Sequence, residues 1–232
     1  MTSCKNALAA VLSRSKALFI HTWGWIRSGD PVRHRDDLLQ LLELSDDILR
    51  KHGLAYWIDY GVLLGAVRHG ELVLWDYDLD LAFPSDAFRK LLEIMPSEAL
   101  PPGHQYSYDP QERYARIDTD RVWVDFVEYQ LDEKSDLMRP NLRSFYADPS
   151  NRDDYCPPIP RNLVMPTAQY AIRGRNYPGP KNADAYLRIV YGDYWEPHYV
   201  PLLYSLLRHP ILTLSFMRNT RARKAAARSR QR

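Results

Sequence analysis

The run Trp75-Asp76-Tyr77-Asp78-Leu79-Asp80-Leu81 sets a carboxylate at every second position. Alternate side chains of a strand share a face, so the spacing predicts Asp76, Asp78 and Asp80 on one side and Tyr77, Leu79 and Leu81 in the core. Like charges on one face repel unless cations neutralise them. An all-oxygen ligand set favours Mg2+ or Mn2+ over zinc, with water and substrate phosphate completing the shell. A calcium loop of the EF-hand kind is excluded, because its required Gly and Glu positions hold Leu81 and Ala87. A solvated strand face is the plain alternative. A second run, Val122-Trp123-Val124-Asp125-Phe126-Val127, places one acid inside an apolar strand. That is costly unless Asp125 faces solvent or the same ion, so it is expected as a third metal ligand beside Asp78 and Asp80.

Upstream, Gly61 follows a strand and precedes a short helix, a place where backbone amides and a helix N-terminus can approach an anion. A plain strand-turn-helix explains the same pattern, but the acids that follow turn it into a phosphate cradle facing a metal site. Arg173, Arg175 and Lys181, set among glycines and prolines, are candidates for contacting an anionic donor or acceptor.

These groups need elements to hold them. Apolar residues at helical spacing predict a helix over 36–52, stopped by Gly53. A strand over 54–59, a short helix over 63–69 closed by Gly70, and extended chain over 72–83 follow, and then a helix from Ser85 to about Met95. Extended stretches near Tyr106 and Tyr114 lead into a strand over 122–129. The order predicts an α+β (α/β) fold with a mixed sheet flanked by helices. From Arg139 to Pro201, where ten of the 17 prolines fall, the expectation is an irregular arm with one helix, capped by Asn182 and ended by Gly192.

Together the motifs resemble the LicD and fukutin-related phosphotransferases of the nucleotidyltransferase-fold superfamily. The resemblance rests on Gly61-x-Leu63-Leu64-Gly65-Ala66-x-Arg68-His69-Gly70, Trp75-Asp76-x-Asp78-x-Asp80, Val124-Asp125-Phe126, and Tyr186-Leu187-x-x-x-Tyr191-Gly192-Asp193-Tyr194-Trp195-x-Pro197. It implies transfer of a phospho-alcohol, such as phosphocholine or ribitol phosphate, from a CDP-linked donor to a glycan hydroxyl, with release of CMP. It further implies that Asp78 and Asp80 hold Mg2+ and that Asp125 completes the site or takes the hydroxyl's proton. On the same basis Asp76 supports the ligands or acts as base, Arg68 and His69 sit near the phosphates or brace the loop, and the Tyr186–Pro197 block packs the core or closes a pocket wall. Val62 and Leu74 stand where relatives usually carry Ser or Thr and Pro. Alternatives are a nucleotidyltransferase moving NMP from an NTP, and a catalytically silent membrane-associated scaffold.

Composition frames this reading. Residues 1–35 carry six Lys/Arg against one acid, residues 208–232 carry eight against none, and the middle carries 17 against 28. An acidic body with basic ends argues against nucleic-acid binding, whose cations line the working face. Two cysteines give no disulfide framework or thiolate zinc cluster, which fits a cytoplasmic setting. The apolar stretch 17–26 is too short to span a bilayer and lacks a cleavage site. Apolar residues over 199–217 followed by seven Lys/Arg over 218–232 predict contact with an anionic membrane surface, on the inner face for a cytoplasmic protein. The expected organisation is a basic segment (1–35), a catalytic domain (36–200) and an apolar, then polybasic tail (201–232).

Overall fold

The computed structural model describes residues 34–74, 76–141, 157–194 and 210–230. Trp75, both cysteines, nearly all of the basic N-terminal segment, and residues 195–209 of the closing block and apolar tail lie outside the described residues.

Helix α1 (Arg35–Lys51) buries Leu38, Leu41, Leu42, Ile48 and Leu49. Acids in its first turn and bases in its last complement the helix dipole, and Gly53 at φ +62° ends it. The predicted strand over 54–59 shrinks to β1 (Trp57–Ile58), because Asp59 becomes the cap of α2 (Tyr60–His69) and accepts from the Tyr60 N–H. Gly70, at φ +69°, closes α2 as expected. The acidic run becomes β2 (Asp78–Pro84), which leads directly into α3 (Ser85–Ile94). Ser85 is the first helical residue of α3 rather than its cap; extended Pro84 holds that position. Four strands follow: β3 (Gln105–Asp109), β4 (Tyr114–Asp118), β5 (Trp123–Asp132) and β6 (Leu137–Pro140).

The sheet runs β1-β2-β5-β4-β3, with β2 and β5 parallel and the other neighbours antiparallel. Strand β5 is long enough to pair with β4 over residues 123–127 and with β6 over 129–132, and β7 (Ile159–Pro160) extends the sheet beyond β6. One face of β2 and β5 presents Leu79, Leu81, Phe83, Val124 and Phe126, all buried. Helix α3 covers it, with Phe88 6.2 Å from Phe83, and Phe83 meets Phe126 edge-on at 5.7 Å. Burying side chains of this size contributes roughly 1.5–3 kcal/mol each, which commits that face to the core and leaves the other for polar groups.

Beyond Arg139 the arm is less irregular than its prolines predict. It contains a short helix α4 (Arg161–Val164), a hairpin of β8 (Ala168–Ile172) and β9 (Arg175–Gly179), and helix α5 (Ala183–Tyr191). The hairpin turns through Arg173 (φ +48°) and Gly174 (φ +85°), the left-handed pair that a two-residue hairpin requires. Helix α5 has the predicted ends: the Asn182 side chain accepts from the Ala185 N–H at 3.1 Å, and Gly192 takes φ +68°. Part of the tail forms helix α6 (Pro210–Arg230).

A buried carboxylate fastens the hairpin to α1. Asp46 accepts from Arg50 Nε at 2.7 Å and from the Tyr56 hydroxyl through Oδ1, and from Arg175 Nε at 2.8 Å through Oδ2. Its side chain is 0% exposed, whereas Arg50 and Arg175 reach solvent. Asp46→Ala should therefore lower stability by about 2–4 kcal/mol, mostly by orphaning the buried phenol and one guanidinium. A chemical-denaturation midpoint checks this, and Arg50→Ala, which removes only the exposed partner, should cost about 1 kcal/mol or less.

Candidate active site

The polar face of β2 and β5 carries the predicted acids. In the parallel register Asp80 lies directly opposite Asp125 and Asp78 opposite Trp123, so Asp78, Asp80 and Asp125 share one face. Asp76 precedes the strand and lies close to Asp78. The apolar packing beneath fixes this register, since a one-residue slip would turn every carboxylate into the core.

Crowding shows in the protonation of the group. Burial, then Asp125, pushes Asp78 up to about 7, with Arg116 opposing. Asp80 is held well above the usual carboxylate range by burial and then by Asp78 and Asp125. Asp76 is raised by burial and then by Asp78. Asp125 is raised by burial and pulled back by Arg116.

Arg116 was not legible as a site residue. It faces Asp125 across the β4–β5 ladder and grips it at two points, Nε to Oδ1 at 2.6 Å and Nη2 to Oδ2 at 2.9 Å. Its guanidinium lies 5.0 Å from the centroids of both the Tyr114 and Trp123 rings. A guanidinium clamped by a carboxylate and two aromatic faces is well placed geometrically. The result is a row across the sheet of Asp80, Asp125 and Arg116.

Among the described residues, no three His, Cys, Asp or Glu side chains close into a preformed metal cage. Asp125 stands in this structure as the partner of Arg116. The donor set still suits a hard dication: Asp78 and Asp80 offer oxygen ligands from one strand face, and their mutual repulsion is what a dication relieves. Mg2+ asks for one or two carboxylates, and those two suffice.

Gly61 lies in the first turn of α2, and a Cβ there would come within 2.3 Å of Asp76 Oδ2. The anion that this glycine admits here is the protein's own Asp76. Val62 is buried in the core. Asp59, at the same helix end and also unpredicted as a site residue, is buried and accepts from the Tyr129 hydroxyl at 2.7 Å and from the Tyr186 hydroxyl. Its backbone N–H donates to the Asp80 carbonyl at 3.0 Å, tying α2 to the acidic strand. Tyr191, at the end of α5, completes the surroundings: burial and then the charges of Asp76, Asp80, Asp59 and Asp78 hold its phenol well above the normal range.

The other predicted residues go elsewhere. Arg68 and His69 are buried at the far end of α2. His69 shares a 2.9 Å hydrogen bond with Thr220, and burial, with Arg68 next, pushes it down to about 2, so it is neutral. Arg173, at the hairpin tip, pairs with Glu71 at 2.9 Å and Asp36 at 3.1 Å, and Arg175 with Asp46 and Asp47. Lys181 is exposed just before α5. The structure thus joins Asp76, Asp78, Asp80, Asp125 and Gly61, and puts Arg68, His69 and Arg173 in structural junctions.

Two expectations follow. Asp78 takes up a proton on folding, so the stability this gives is full below about pH 4 and lost as pH rises through about 7. Asp78→Asn should therefore melt a few degrees above the unsubstituted chain at about pH 8 and converge with it near pH 4, as followed by differential scanning fluorimetry. The two glycines of α2 should also diverge. Gly61→Ala meets only the tip of Asp76 and should leave the unfolding midpoint within about 0.5 kcal/mol. Gly65→Ala meets backbone, at 2.4 Å from the Glu71 carbonyl oxygen and 2.8 Å from the Val73 nitrogen, and should cost about 1–3 kcal/mol despite better helix propensity.

The family model described as the LicD/FKTN/FKRP nucleotidyltransferase domain matches residues 53–182, more than half the chain. An uncharacterized protein of Rickettsia prowazekii is 38% identical over 73 residues, which is 31% of this chain and 27% of that protein. The ribitol 5-phosphate transferase FKRP of Mus musculus is 53% identical over 34 residues, 15% of this chain and 7% of that protein. The chain therefore matches about a quarter or less of the length of these curated relatives. Among solved structures, ANT(2″)-Ia in complex with adenylyl-2″-tobramycin aligns with a TM-score of 0.41 at 15% identity, covering 84% of this chain and 99% of that one. The match across the acidic strands and α2 carries the assignment: this chain belongs to the LicD/FKTN/FKRP nucleotidyltransferase-domain family.

Proposed function

We propose that this chain is a metal-dependent phosphotransferase that moves a phospho-alcohol, of the phosphocholine or ribitol-phosphate type, from a CDP-linked donor to a glycan hydroxyl. The observation that carries this is the row of Asp78, Asp80 and Asp125 on one polar sheet face. Family membership and the name of the ribitol 5-phosphate transferase relative support the donor class.

In this proposal Asp78 and Asp80 hold Mg2+ or Mn2+, which when bound neutralises the charge of the donor diphosphate. The acceptor oxygen forms a bond to the phosphorus of the transferred group, the bond from that phosphorus to the CMP oxygen breaks, and CMP leaves with the electron pair. Asp125, committed to Arg116, is poorly suited to take the hydroxyl proton. Asp76, raised by burial and by Asp78, is the better base. Arg116 holds Asp125 in place and brings a positive charge to the edge of the phosphate site. Tyr191, near enough to the carboxylates to feel their charge, is assigned in this proposal to the wall that limits water.

Release of CMP from CDP-choline and CDP-ribitol, measured with Mg2+ and a glycan acceptor, tests this. Asp80→Asn should reduce the rate by about 100-fold or more while leaving the fold intact by circular dichroism. Pyrophosphate release from NTPs with no turnover of CDP-alcohols would instead assign NMP transfer. Absence of Mg2+-dependent turnover of every nucleotide donor would make the chain a scaffold.

A further inference from the structure

We propose that helix α6 is a membrane-surface element that seats the protein on anionic lipid. One side of α6 is fixed to the catalytic domain. Arg223 Nη1 donates to the carbonyls of Ala66 at 3.1 Å and Val67 at 3.3 Å, at the C-terminal end of α2, and Thr220 reaches His69. Gly70 leaves room for this, since a Cβ there would lie 2.3 Å from Arg223 Nη2. Ala227 packs against the core from the same side.

At about 100° per residue, Thr220, Arg223 and Ala227 lie on one side of the helix, and Ile211, Leu214, Arg218, Arg221 and Ala225 on the opposite one. All five of the latter are exposed, with Ile211 at 85% and Leu214 at 58%. Two large aliphatic side chains one turn apart are thus presented to solvent, followed on the same face by guanidiniums.

The occupant this face fits is an anionic bilayer surface, for three reasons. The aliphatic pair has the character of an insertion point, and the arginines beside it match anionic headgroups. Residues 218–232 carry seven Lys/Arg and no acid, whereas residues 36–207 carry 28 acids against 17 bases, so an anionic surface attracts this end and repels the body. No described helix is long and apolar enough to cross a membrane, which leaves α6 lying along the surface. An acidic polymer would engage the arginines equally well but gain nothing from Ile211 and Leu214, so the aliphatic pair separates the two partners. This inference is independent of the reaction catalysed.

Co-sedimentation of the full chain with phosphatidylcholine vesicles, with and without phosphatidylglycerol, tests it. Binding is expected only to the anionic vesicles and should weaken as salt is raised. The pair Arg218→Glu with Arg221→Glu, and separately Ile211→Asp with Leu214→Asp, should each reduce partitioning by about tenfold or more, with the unfolding midpoint unchanged. The proposal is overturned if the unsubstituted chain stays in the supernatant with anionic vesicles. It is equally overturned if the Ile211 and Leu214 variant binds them as well as the unsubstituted chain does, the result that would point to an acidic polymer.

Discussion

Repulsion among carboxylates held on one sheet face is the constraint around which this molecule is built. The parallel register of β2 and β5 sets Asp80 beside Asp125, and strand alternation adds Asp78 to the same side. None of the three acids can turn away, because Leu79, Leu81, Val124 and Phe126 commit the other face to the core. Folding therefore concentrates negative charge in partial burial, and Arg116 pairs with Asp125 and opposes the shift of Asp78 without cancelling it. A cationic ligand would relieve this repulsion, which is why the proposal places one there.

Helix α2 transmits this arrangement through the domain. Its first turn closes over Asp76 at Gly61, and its cap, Asp59, is locked by hydroxyls from β5 and α5. Its middle presses on backbone at Gly65, and its last turn is capped by Arg223 from α6. Of these contacts, the one at Gly65 requires a glycine, because a Cβ there would meet the backbone of Glu71 and Val73. The hairpin of β8 and β9 joins at the same corner, where the Arg173 N–H donates to the Gly70 carbonyl at 3.0 Å. The arginines that looked available for substrate are thus the pins of this junction.

What sequence could reveal followed from periodicity and chemistry. The acids of β2 were legible because alternation is intrinsic to a strand, and Asp125 because an acid inside an apolar run demands an explanation. The C-terminal ends of α1 and α2 and both ends of α5 are legible because glycine and asparagine signal them locally, whereas the start of α2 lies at Tyr60 and not at Leu63. Arg116 was hidden because its role depends on β4 lying beside β5, a pairing that no local pattern states. The hairpin was missed because Arg173 occupies a left-handed position usually given to Asn, Asp or Gly, and because prolines masked the strands on either side. Gly61 was read as a phosphate cradle, whereas its close neighbour is Asp76, a contact set by tertiary packing. Asp59 carries no signal beyond that of an ordinary cap, whereas Tyr191 belongs to the closing motif that the sequence assigns to core or pocket wall.

The central claim is that Asp78 and Asp80 together bind a divalent cation. Titration of the chain with Mn2+, followed by the loss of free-ion signal in electron paramagnetic resonance, measures this directly and without turnover. The expected result is saturable binding that Mg2+ displaces and that is lost when Asp78 and Asp80 are both replaced by Asn. Equal Mn2+ uptake by the doubly substituted chain, or none by the unsubstituted one in the presence of a CDP-alcohol, would contradict the account.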